Sequence, residues 1–250
     1  MKKLFSIAII ALILCALSFG LIACNKQVNV DYGKDNSFAV SVTEDEDAVT
    51  YMPKGAKAKY GLLFYVGTMI APEQYAYLAE SLAKQGYAVV IPKVTLGLAY
   101  GSYKEIEPAF AKYPNIEFFI GGHSQGGGAA VKRAEENVAT TKGVILLAPL
   151  CYGEDTIKDS ALPTLLLEAK KDGVLTSSMK ADAKTRLPDN REEYMLEGCH
   201  MSFSTLDDDS TLAFFNDGPA TAEVKAAQKE QTCAYVLAFM RAVILGNNAE

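Results

Sequence analysis

Ile120-Gly121-Gly122-His123-Ser124-Gln125-Gly126-Gly127-Gly128 sets a serine between glycines two residues before and two residues after it. Gly-x-Ser-x-Gly describes a sharp turn between a strand and a helix that holds the serine in a strained backbone conformation. A Cβ at either glycine would strike the neighbouring strand or helix. The turn lifts the hydroxyl clear of the main chain. It also aims the Gln125 amide at the place where a reacting carbonyl oxygen would develop charge. The chemistry is acyl transfer by a serine nucleophile, as opposed to a glycine-rich turn with no chemistry.

A serine hydroxyl needs a base to take its proton. The chain has only two histidines. His123 adjoins Ser124, so its side chain leaves the backbone in another direction and is expected to pack and hydrogen-bond. That leaves His200, in Glu197-Gly198-Cys199-His200-Met201-Ser202. The imidazole in turn needs a carboxylate to fix its tautomer and stabilise its charged form. Asp172, in Lys170-Lys171-Asp172-Gly173, follows a probable strand end and gives the order Ser124, Asp172, His200. Asp155 and Glu168 are the reserve acids.

The elements around these residues alternate. Glu117–Gly121 before the elbow has strand character, and helix formers run from Ala129 to Glu136 after it. Strands are also expected at Ala48–Met52, Gly61–Val66, Tyr87–Ile91, Gly143–Ala148, Leu165–Ala169 and Glu193–Leu196. Helices are expected at Pro72–Gln85, Tyr103–Lys112, Ser177–Arg186 and Ala222–Leu245. In Pro72–Gln85, Tyr75, Leu78 and Leu82 share one face, and Gly86 follows as the C-terminal cap. In the last helix the apolar side is drawn from Ala226, Cys233, Val236, Leu237, Met240 and Val243. This alternation predicts an α/β fold: a doubly wound, mostly parallel sheet in three layers, αβα. Sites in such sheets form at the carboxyl ends of strands.

The chain resembles a small α/β-hydrolase of the dienelactone-hydrolase-like and esterase-like kind. Phe64-Tyr65-Val66-Gly67 leading to Pro72-Glu73-Gln74-Tyr75-Ala76, the Gly122–Gly126 elbow, Lys171-Asp172-Gly173 and Gly198-Cys199-His200 carry the resemblance. It spans most of the chain from about Ala48 onward. It implies the α/β-hydrolase fold and an ester hydrolase with Ser124, Asp172 and His200 as its triad. It also implies a second oxyanion donor, the backbone amide of Thr68 or Met69, beside that of Gln125. Many relatives have His-Gly at the start of this loop, where this chain has Val66-Gly67. No cofactor or metal is implied. Thioester or peptide hydrolysis on the same triad, and a membrane-anchored binding lipoprotein without catalysis, are the rival readings.

The chain opens Met1-Lys2-Lys3 and runs apolar from Leu4 to Ala23, which reads as an export signal, residues 1–23. Leu21-Ile22-Ala23-Cys24 resembles the lipobox of bacterial lipoproteins, in which the cysteine is lipidated and the signal is cut before it. Residues 24–47 are polar and acidic. They read as a tether, with room for an early edge strand, leading to one domain over residues 48–250. Loss of Lys2 and Lys3 takes the formal charge from −6 to −8. An acidic chain with no basic run is a poor match for nucleic acid. The expected partners are a small ester substrate and, through Cys24, a bacterial membrane; a monomer is expected. Cys151, Cys199 and Cys233 lack metal-ligand spacing and read as small apolar side chains. Asp207-Asp208-Asp209 lacks the alternating spacing of a calcium loop and reads as a solvated acidic loop. Residues 201–221 and Ala99–Tyr103 are candidate rims of the site.

Overall fold

The computed structural model describes residues 27–246. The expected signal and Cys24 lie outside the described residues. The chain forms strands β1 (Val28–Asn29), β2 (Val40–Glu44), β3 (Ala48–Pro53), β4 (Ala56–Lys57) and β5 (Tyr60–Tyr65). Helix α1 (Ala76–Lys84), β6 (Ala88–Pro92), α2 (Glu107–Ala111), β7 (Glu117–His123), α3 (Gln125–Glu136), β8 (Val144–Leu147) and β9 (Thr164–Ala169) follow. The chain continues through α4 (Ser177–Thr185), β10 (Glu192–Leu196), α5 (Asp209–Phe214) and α6 (Ala222–Gly246).

Eight strands form one sheet in the order β10-β9-β8-β7-β5-β6-β3-β2. From β6 to β10 every pair is parallel; β3 runs antiparallel to β6, and β2 antiparallel to β3. Both faces of the central strands are covered. Leu62 and Phe64 of β5 enter a core with Leu78 and Leu82 of α1 and Val236, Phe239 and Met240 of α6. Leu63 and Tyr65 enter another with Ala129, Ala130 and Ala134 of α3. This is why β5 and β8 read as continuous apolar runs and not as alternating strands. It gives the expected three layers.

The position of the site follows from this topology. The chain leaves β5 toward β6 on one side through α1, and leaves β7 toward β8 on the other through α3. The loops after adjacent β5 and β7 therefore diverge and open a crevice at the sheet's carboxyl edge.

Several expectations differ from the structure. The helix expected at Tyr103–Lys112 is only Glu107–Ala111, with turns before it, and Pro108 lies in its first turn. Proline has no N–H to donate back, so it sits readily at a helix start and poorly inside one. In Pro72–Gln85 the first turn is a tighter 3-10 turn, Pro72–Tyr75, and α1 begins at Ala76. Tyr75, Leu78 and Leu82 are all buried, and Gly86 has φ +100°, as the cap requires. The buried stripe of α6 is Gln228, Thr232, Val236, Phe239, Met240 and Ile244, centred away from the apolar side expected. Gln228 is buried because its Nε2 donates to the Cys199 carbonyl at 3.0 Å, under the loop that carries His200. The segment expected as a tether contributes more than an edge strand. Besides β2, it supplies Tyr32, whose hydroxyl accepts from the Lys59 and Tyr60 N–H groups and donates to Gly86 O. Asp208 caps α5 by accepting from Ser210 and Thr211 N–H, and Asp207 pairs with Lys229 at 2.5 Å.

Candidate active site

Ser124 sits between β7 and α3 with φ 54° and ψ −122°, a left-handed conformation that L residues rarely adopt. Its neighbours make the two glycines obligatory. A Cβ on Gly122 would lie 2.2 Å from Gly126 O, and one on Gly126 would lie 2.3 Å from Tyr65 O and Val66 O. The next two glycines also have neighbours: a Cβ on Gly127 would meet Pro149 at 2.7 Å, and one on Gly128 would meet Leu150 O at 2.3 Å. The strained peptide is tied on both sides. Ser124 N–H donates to Leu147 O at 3.0 Å, and Ser124 O accepts from Gly127 N–H at 2.9 Å and Leu150 N–H at 2.8 Å.

The loop after β5 runs beside this turn. Its amides divide clearly. Gly67 N–H donates to the Tyr75 hydroxyl at 2.9 Å, Met69 N–H to Gly97 O at 3.4 Å and Ile70 N–H to Gly67 O at 3.1 Å. Thr68 N–H has no acceptor among the described residues, and neither does Gln125 N–H at the start of α3. Of the two candidates for the second oxyanion donor, Thr68 has the free amide. Met69 has φ 60°, and Gly97 packs so closely that a Cβ there would lie 3.0 Å from Met69 N. Beyond this loop is an open depression of about 500 Å³, lined by Val66, Met69, Ile70, Pro72 and Val94, with Lys93 at its edge.

The expected base and acid meet. Asp172 follows β9 and His200 follows β10, neighbouring parallel strands. His200 Nδ1 lies 3.0 Å from Asp172 Oδ2, and both side chains are buried. Asp172 Oδ1 accepts from the Val174 and Leu175 N–H groups, each at 2.9 Å, which fixes the carboxylate plane. Lys180 of α4 places its Nζ 3.6 Å from Asp172 Oδ2. Burial alone would raise the Asp172 pKa. The hydrogen bond and charge of His200, the Leu175 N–H and the Lys180 ammonium outweigh it and hold the carboxyl below its ordinary 3.8. The reserve acids are engaged elsewhere: Asp155 accepts from the Tyr100 hydroxyl, and Glu168 pairs with Lys184 at 2.6 Å.

His123 is buried, as a packing residue should be, but its place is more specific. Its ring centroid lies 4.7 Å from that of His200, so the elbow touches the base through the residue before Ser124. Its Nδ1 lies 2.9 Å from the Tyr75 hydroxyl. That hydroxyl already accepts from Gly67 N–H, and among the described residues it meets no other acceptor. Its proton therefore goes to Nδ1, and the His123 proton sits on Nε2, which has no hydrogen-bond partner among the described residues. Burial and then the neighbouring His200 push the His123 pKa well below its ordinary value, so the ring is neutral. Among the described residues no hydrogen bond joins Ser124 Oγ to His200.

Sequence reasoning missed Tyr75 and Lys180. Tyr75 was legible as part of the buried face of the helix expected at Pro72–Gln85, but its hydroxyl carried no motif. Lys180 lies on an ordinary polar helix, and nothing in its spacing pointed to Asp172.

With this geometry in place, the chain matches the alpha/beta hydrolase family over residues 61–208. The match covers more than half of the chain, which therefore belongs to the α/β hydrolase family, a family of hydrolases. Among curated proteins no significant match was found.

Two outcomes follow from the site. Tyr75→Phe strands the Gly67 N–H and the His123 ring nitrogen, and urea unfolding is expected to show a loss of about 1–3 kcal/mol. An unchanged midpoint would remove this bridge from the account. Asp172 titrates lower folded than unfolded, so its contribution is full above the unfolded value and is lost as pH falls through the folded one. The stability margin of wild type over Asp172→Asn should therefore shrink as the pH falls through and below the ordinary carboxylate range. A margin that grows in acid would reverse the sign assigned.

Proposed function

We propose that this protein is a serine ester hydrolase of the compact, dienelactone-hydrolase-like kind. The observation that carries this reading is the 3.0 Å hydrogen bond between Asp172 and His200, at the crevice flanked by the strained Ser124 turn. Ser124 Oγ attacks the ester carbonyl carbon while His200 Nε2 takes its proton. His200 Nδ1–H donates to Asp172 throughout, which holds the ring in the right tautomer. The oxyanion accepts from Gln125 N–H and Thr68 N–H, each worth about 3 kcal/mol in the transition state. His200 then gives its proton to the departing alcohol, leaving an acyl-Ser124. Water, deprotonated by His200, attacks the acyl carbon, and His200 returns the proton to Ser124 Oγ as the acid leaves. Apart from ester and water, each step uses groups of the chain. The apolar depression beside Thr68 and Met69 suits a short apolar part of the ester.

Full-length protein should react with a fluorophosphonate at Ser124, and Ser124→Ala should not. Asp172→Asn should cut turnover of p-nitrophenyl esters by about four orders of magnitude, because the histidine tautomer is lost. Asp155→Asn should leave it near wild type. Absence of labelling would leave a non-catalytic lipoprotein as the better reading. A preference for acyl-thioesters or peptide amides in the same assay would move the substrate class.

We further propose export and lipid anchoring through Cys24, on the strength of Leu21-Ile22-Ala23-Cys24 after an apolar segment. Labelled fatty acid should enter the wild-type protein and not Cys24→Ser. Continued labelling of that variant would sink the proposal.

A further inference from the structure

Asp172 and His200 reach each other from loops beyond the ends of β9 and β10. The strand ladder continues a little way into these loops. Lys170 N–H donates to Leu196 O at 2.8 Å, and Lys171 N–H to Gly198 O at 2.9 Å. There it stops, and β10 is an exposed edge strand with no strand paired to its outer side among the described residues. From this point the two loops need another device to keep the Asp172–His200 distance.

Asp217, in the turn after α5, fills that gap. Its Oδ1 accepts from Gly173 N–H at 3.0 Å, in the acid loop, and from His200 N–H at 3.2 Å, in the histidine loop. The same oxygen accepts from Gly218 N–H at 2.8 Å, and Oδ2 accepts from Met201 N–H at 2.7 Å. One carboxylate thus bonds the residue after Asp172, His200 itself, and the residue after His200. The turn is pressed against the acid loop. A Cβ on Gly218 would lie 1.9 Å from Lys171 O, and one on Gly173 would lie 2.5 Å from Asn216 O. The turn is mounted on α5, because Asp217 N–H donates to Leu212 O at 2.8 Å and Asn216 N–H to Ala213 O at 3.2 Å.

We propose that Asp217 is a positioning residue for the triad: it clamps the Asp172 loop to the His200 loop and sets the distance and angle of their hydrogen bond. This rests on the hydrolase reading above for its consequence in turnover. The chemistry demands a carboxylate. Only an ionised acid offers about four acceptor sites and no donor to four converging N–H groups. An asparagine would turn its NH₂ toward either Met201 N–H or the other three donors. Asp217 acts through Asp172 and His200 and does not touch the reacting atoms. Its loss should therefore lower kcat and leave KM nearly alone.

The test compares full-length wild type with Asp217→Asn and Asp217→Ala. The readouts are p-nitrophenyl ester kinetics and the downfield proton resonance of His200 Nδ1–H hydrogen-bonded to Asp172. Both variants are expected to lose about 100-fold in kcat, the effect of a displacement near 1 Å, with little change in KM. The downfield resonance should move or vanish. Wild-type kcat and an unmoved resonance in folded Asp217→Asn would overturn the proposal, as would a rise in KM alone. If wild type neither turns over esters nor reacts with fluorophosphonate, the hydrolase reading fails, and the resonance comparison still decides the clamp. If both variants fail to fold, hydrogen exchange on wild type decides it: the Gly173, His200 and Met201 amides should open as one unit. Independent opening of the two loops would count against it.

Discussion

The first turn of α3 lies directly on the main chain of β5. Gly126 rests over the Tyr65 and Val66 carbonyls, at a separation that leaves no space for a Cβ. To reach that position the chain must turn sharply at the end of β7, and the turn forces Ser124 to a positive φ. The strain persists because the surrounding contacts over-determine it. Ser124 O is held by two amides and Ser124 N–H by Leu147, in register with the β7–β8 ladder. The same close approach brings the loop that leaves β5 beside the helix start. The unused amides of Thr68 and Gln125 therefore belong to neighbouring pieces of main chain. A looser contact here would separate the serine from both donors at once.

The two histidines illustrate how environment divides one residue type into two roles. Both are buried, and their rings pack together. His123 receives a proton donor, the Tyr75 hydroxyl, on Nδ1, and burial keeps it uncharged. His200 receives a carboxylate on Nδ1, which fixes the tautomer and orientation of its ring. Tyr75 also holds Gly67, so the loop after β5, the elbow and the ring packed against His200 share one buried hydroxyl. Lys180 also stands against Asp172 and adds to the effect of His200 and the Leu175 N–H in holding its pKa down despite burial.

Much of the fold was legible because its signals are local. Strands buried on both faces need unbroken apolar runs, and Gly61–Val66 and Gly143–Ala148 have them. Helix ends need particular residues, and Pro72 and Gly86 mark theirs. The elbow was legible because its glycine spacing around Ser124 is a local pattern, although the contact that Gly126 serves is with Tyr65 and Val66. Where the reading departed from the structure, the cause was a local residue for α2 and packing partners distant in sequence for α6 and Tyr32. The helix before β7 begins late because of Pro108, a local signal given too little weight. The buried side of α6 includes Gln228 and Thr232 because the helix covers main chain of the histidine loop, which offers a carbonyl to be satisfied. Tyr32 looked like part of a polar leader, yet it closes the core against Lys59, Tyr60 and Gly86.

The sequence alone determined the kind of sheet, the strained serine and the scarcity of imidazole that leaves His200 as the available base. These follow from periodicity, from glycine spacing and from composition, all of which can be read along the chain. It favoured Asp172 by chain order while keeping Asp155 and Glu168 in reserve as the acid for His200, and it left open which amide joins Gln125. Three carboxylates follow or end strands in the right half of the chain, and only the pairing of β9 with β10 brings Asp172 to the imidazole. Thr68 and Met69 are adjacent, and only the fold of the Gly97 turn occupies one amide and leaves the other free. Both choices depend on distances between segments far apart in sequence. Such distances are set when the layers pack, and so tertiary structure alone decided them.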